Sequence, residues 1–63
     1  MPTVTVVLDG GGQLAVQTRD KTPLNEVTKA LNDDDTEFRI TYQDAVIIVP
    51  DSAKVFGVAV SGL

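Results

Sequence analysis

Two of the residue types most often used for catalysis are missing from this chain. It has no cysteine and no histidine, which removes thiolate nucleophiles, disulfides, the commonest zinc ligand and the commonest general base. Three groupings of reactive or ligating residues remain. The first is Asp9-Gly10-Gly11-Gly12. Glycine-rich loops hold phosphate with backbone N–H groups where a strand passes into a helix. Here a strand pattern follows, the Lys-Ser/Thr ending of a P-loop and the spaced glycines of a dinucleotide fingerprint are absent, and Asp9 would repel an anion. A hairpin turn, which requires positive φ, accounts for the glycines unaided.

The second grouping is Asp33, Asp34, Asp35 and Glu37. Asp33, Asp35 and Glu37 are spaced two apart and in extended chain could converge on Ca²⁺ or Mg²⁺. The glycine and the distal bidentate glutamate of an EF-hand are absent, so the segment reads as a solvated helix-to-strand loop with no metal and no cofactor. The third is Ser52 and Ser61, hydroxyls for which Lys54 is the nearest alternative base. Lys54 reads as a charge that protects a strand edge from aggregation. A chain of 63 residues has little volume for a concave site that shifts carboxylate pKa values. The sequence therefore predicts a protein that is not an enzyme.

The elements that must position these residues follow from periodicity. Thr3 to Leu8 alternates, with Val4, Val6 and Leu8 on one face. Gln13 to Thr18 resumes the alternation after the glycines, with Leu14 and Val16 inward. The pair predicts an N-terminal hairpin. Thr22-Pro23 predicts a helix start, with threonine as N-cap and proline at the first helical position. The helix should run to about Asn32, burying a stripe of Leu24, Val27 and Leu31 with Ala30 alongside. Glu37 to Tyr42 alternates as a one-sided strand, and Gln43-Asp44 reads as a tight turn. Ala45 to Val49 is apolar at every position, which predicts a strand covered on both faces. After the corner Pro50 to Ala53, Lys54 to Val60 reads as a last strand with Phe56, Val58 and Val60 on one face. The fold class predicted is α+β: a single ββαβββ domain over residues 1–63, mainly antiparallel sheet with one short helix.

Composition bounds the partners. Five basic residues against nine acidic ones give a net charge of -4, which argues against a nucleic-acid backbone as ligand. No apolar run is long enough to cross a membrane and no signal-peptide pattern is present, so a cytoplasmic location is the expectation. A core this small rarely supplies more than ~3–5 kcal/mol. With disulfides excluded and no metal site in view, a homo-oligomer is the remaining route to extra stability. One short helix cannot cover both faces of a five-stranded sheet, so Ile47, Val49, Val58 and Val60 are the predicted interface.

The run Val49-Pro50-Asp51-Ser52-Ala53-Lys54-Val55-Phe56-Gly57-Val58-Ala59-Val60, preceded by the hairpin from Ile40 to Ile48, resembles the ending of a short uncharacterised actinobacterial protein family. The helix beginning near Thr22-Pro23 resembles that family's mid-chain helix. The resemblance implies a fold and carries over no catalytic residue. Two functions are compatible with these observations. One is a non-catalytic protein–protein interaction module that self-associates through apolar strands. The other is a small acidic phage-type inhibitor or accessory protein whose Asp33, Asp34, Asp35 and Glu37 block a basic surface of a partner protein.

Overall fold

The computed structural model describes residues 1–33 and 36–63. Strand β1 (Thr3–Leu8) turns into β2 (Gln13–Gln17), helix α1 (Pro23–Leu31) follows, and β3 (Phe38–Thr41) turns into β4 (Val46–Val49). A 3₁₀ turn at Ser52–Lys54 leads into β5 (Val55–Ser61). The α+β class and the predicted element order are observed. The five strands form two antiparallel sheets, one ordered β2-β1-β5 and the other β3-β4.

The glycine run makes the predicted turn. Gly10 and Gly11 sit at φ 93° and 97°, a region that side-chain-bearing residues avoid. The Leu8 amide donates to the Gly12 carbonyl at 2.7 Å, which closes the hairpin. The Asp9 amide then reaches the Lys54 carbonyl at 2.7 Å, tying the turn to the start of β5.

Helix α1 begins where Pro23 favours it, but its cap differs from the expectation. The Thr22 side chain makes no cap bond. Asp20 accepts instead, from the Thr22 amide at 2.8 Å and from its hydroxyl at 3.3 Å. The buried helical residues are Pro23, Val27 and Ala30, whereas Leu24 and Leu31 are exposed. The apolar stripe is thus rotated toward Pro23. The Tyr42 hydroxyl donates to the Pro23 carbonyl, tying the first turn of the helix to the end of β3.

Val4 and Val6 of β1, Val27 and Ala30 of α1, Phe38, Ile40 and Tyr42 from the β3 side, and Ile47 and Val49 of β4 form one core. Leu8, Val16, Val55, Val58 and Val60 pack around it. This arrangement corrects the expectation for Ala45 to Val49. Burial alternates along β4, with Ile47 and Val49 inside and Val46 and Ile48 exposed. The buried residues of the helix, Pro23, Val27 and Ala30, face the same core that takes up Ile47 and Val49, and among the described residues no element covers the outer face of Val46 and Ile48. The last strand differs as well. Between Val7 and Leu8 the β1–β5 register slips from Val7↔Gly57 to Leu8↔Val55, so Phe56 is the extra residue of a β-bulge. A bulge turns its residue away from the regular alternation, and Phe56 is 80% exposed instead of sharing a face with Val58 and Val60.

Burial raises the Tyr42 phenol above its ordinary pKa of 10.0, with the nearby charges of Asp20 and Glu26 acting in the same direction. The unfolded chain therefore loses this proton first as pH rises. The contribution to stability is complete below about pH 10 and declines above it. Tyr42→Phe should cost about 1 kcal/mol at neutral pH, the net worth of one buried hydrogen bond. Its stability should also fall less steeply than that of the parent above about pH 10, which urea denaturation at a series of pH values would show.

Candidate interaction surface

Two tethers fix the relative position of the hairpins. Thr18, fully buried just past β2, donates its hydroxyl to Asp44 Oδ1 at 2.7 Å. The Arg19 amide donates to Asp44 Oδ2 at 2.8 Å. The Thr18 oxygen in turn accepts from the Asp20 amide at 3.2 Å. One carboxylate in the β3–β4 turn thereby holds the segment joining β2 to α1. These bonds favour the ionised form, with the Thr18 hydroxyl first, and lower the Asp44 pKa below its usual 3.8. Sequence reasoning assigned Asp44 only to a turn. Its partners lie 26 and 25 residues away, a separation that local pattern does not report.

The four residues predicted as an interface separate into two pairs. Ile47 and Val49 are 3% and 5% exposed and lie inside this chain's own core. Val58 and Val60 are half-buried on the inner face of the three-stranded sheet and pack against that core. The large apolar side chains that the fold leaves outside are others: Leu14, Val46, Ile48 and Phe56 on strands, Leu24 and Leu31 on the helix, and Met1 and Leu63 beyond the first and last strands. Val46 stands opposite Thr41, and Ile48 opposite Arg39.

Of the acidic segment, Asp34 and Asp35 lie outside the described residues. Asp33 is exposed beyond the helix end. The Glu37 carboxylate lies 3.2 Å from Arg39 in a surface ion pair, an arrangement of small energetic worth. Glu26, Asp33 and Glu37 line one open groove between α1 and β3 together with Lys29 and Arg39, so the groove carries both signs of charge. Among the described residues, no three potential ligands cluster as a metal site. Among the described residues, likewise, no helix is long and apolar enough to cross a membrane.

No family model, curated protein or solved structure matches the chain. The surface must be read from its own chemistry.

That chemistry is dominated by strand edges. In an antiparallel ladder each residue turns its N–H and C=O either toward its neighbour or away from it, in alternation. The Tyr42 amide donates to the Ala45 carbonyl, which sets the alternation in the second sheet: Ala45, Ile47 and Val49 bond inward, and Val46 and Ile48 face the free edge. In the first sheet, the bonds from Leu8 to Gly12 and from Thr18 to Pro2 turn Gln13, Ala15 and Gln17 toward the free edge of β2. Both edges consist of uncharged residues. Soluble proteins usually protect such edges with lysine, proline or a bulge.

Proposed function

We propose that this protein is a non-catalytic protein–protein interaction module that self-associates through its strands. The observation that carries this reading is the pair of uncharged strand edges, on β2 and β4, whose outward-facing backbone groups sit beside exposed apolar side chains, Leu14 on the first and Val46 and Ile48 on the second. Water satisfies such groups in a monomer. A second protein surface would satisfy them while removing apolar area from water, at roughly 25 cal/mol per Å². The small core adds a motive, because a partner that binds only the folded chain raises its stability.

Sedimentation equilibrium across a wide concentration range tests the reading. The weight-average mass should rise from the 6.7 kDa of one chain toward a multiple of it as concentration increases. The apparent denaturation midpoint should rise in parallel. A mass that stays at that of one chain up to millimolar concentration overturns self-association.

A further inference from the structure

We propose that the free edge of β2 pairs with the β2 edge of a second copy, antiparallel and centred on Ala15. This inference rests on the self-association reading and assigns it a strand, a register and a symmetry.

The residues of β2 form a near-palindrome, Gln13-Leu14-Ala15-Val16-Gln17. A two-fold axis at Ala15 places Gln13 opposite Gln17 of the second copy, Leu14 opposite its Val16, and the two Ala15 residues opposite each other. Like meets like along the whole strand. The residues whose backbone groups face this edge are Gln13, Ala15 and Gln17, and in this register each of them meets another of the same set. All three pairings are hydrogen-bonded pairs that exchange both N–H···O bonds. Moving the axis to Leu14 pairs Gln17 with the glycine turn. Moving it to Val16 pairs Gln13 with Arg19, whose amide is already given to Asp44.

The side chains agree with the backbone. Leu14 is 40% exposed although it projects from the core face of its sheet. Its neighbour on β1 is the fully buried Val6, and on its other side it has no strand. Val16 of a second copy would supply that neighbour. On the outer face Gln13 and Gln17 can bond amide to amide, and Ala15 offers no bulk at the axis.

Charge is complementary beyond the strand ends. Antiparallel pairing sets the glycine turn that carries Asp9 against the end of the other β2, where Arg19, Asp20 and Lys21 follow with a net charge of one positive. None of Asp9, Arg19 and Lys21 makes an ion pair with a described residue. The β4 edge offers less: it turns out only Val46 and Ile48, and Pro50 just beyond β4 has no N–H to give. The product would be one continuous sheet ordered β5-β1-β2-β2-β1-β5, with neither β2 edge left open.

The test uses the whole chain. Ala15 is exposed and points to the outer face, so Ala15→Lys and Ala15→Glu leave the core untouched. Each puts two like charges opposite across the axis and should weaken association about fivefold or more. Mixing the two variants should restore a one-to-one heterodimer, which native mass spectrometry would resolve. Ala15→Pro removes only the N–H that faces the free edge, a position edge strands tolerate. It should leave the circular dichroism spectrum in place and abolish the dimer. A wild-type dimer unaffected by Ala15→Lys, or a folded Ala15→Pro variant that still dimerises, overturns the β2 register while self-association through Val46 and Ile48 stands. If Ala15→Pro does not fold, the Lys and Glu variants decide. A wild-type chain that is monomeric throughout removes both proposals together.

Discussion

Ile40→Ala should leave most of the protein unfolded at room temperature. Ile40 is fully buried at the centre of β3, opposite Ile47 and within the cluster that joins both sheets to the helix. Removing its outer carbons costs the transfer energy of those atoms plus the cavity they leave, ~2–5 kcal/mol in such positions. A core of this size supplies only ~3–5 kcal/mol in total. The substitution therefore takes most or all of the margin. Ile48→Ala, one strand away and 46% exposed, is the matched control and should lower stability by less than ~1 kcal/mol. Urea titration followed by far-ultraviolet circular dichroism separates the two. A cooperative transition for Ile40→Ala with the parental midpoint would show that the core is not organised around this residue.

Asp44→Ala should be the most damaging substitution of an exposed residue. It strips the acceptor from the buried Thr18 hydroxyl and from the Arg19 amide together, and leaves Thr18 in a site with no other described acceptor. The hairpin β3–β4 and the β2–α1 connection then lose the bond that sets their relative position. Asp44→Asn isolates the charge. Because the folded-state pKa of Asp44 lies below its usual value, the native chain binds this proton less readily than the unfolded one. The stabilisation is complete above the usual value of 3.8 and is lost as pH falls through the lower, folded value. The difference in denaturation midpoint between parent and Asp44→Asn should accordingly be constant at neutral pH and shrink below about pH 4. A difference that does not change with pH would mean that the amide and the carboxylate hold Thr18 equally well.

Most of the architecture was legible in the sequence because it rests on local pattern. Alternation marked β1 and β3, the glycine run marked a turn whose positive φ only glycine adopts cheaply, and Thr22-Pro23 marked the helix start. What local pattern could not show was which face had company. Ala45 to Val49 is apolar throughout, and such a run is compatible with cover on one face or two; the single helix decided it. In the sequence Phe56 falls in step with Val58 and Val60, and its outward turn comes from a slip against β1, a strand far away in the sequence. The Thr18–Asp44 bond is invisible for the same reason. The near-palindrome of β2 was readable from the start, but it acquires meaning only once that strand is known to lie at an edge.

Strand β1 has a neighbour on each side, and the two neighbours are unequal. Its even-numbered residues, Val4, Val6 and Leu8, give their amides to β2, across a turn of a few residues. Its odd-numbered ones, Thr3, Thr5 and Val7, give theirs to β5, nearly the length of the chain away. One strand thus keeps two clocks. Solvent exchange at Val4 and Val6 reports the opening of a local hairpin, and exchange at Thr5 and Val7 reports the parting of the two ends of the fold. Where those rates coincide the whole molecule opens as one unit; where the odd residues exchange faster, the hairpin outlives the fold built on it.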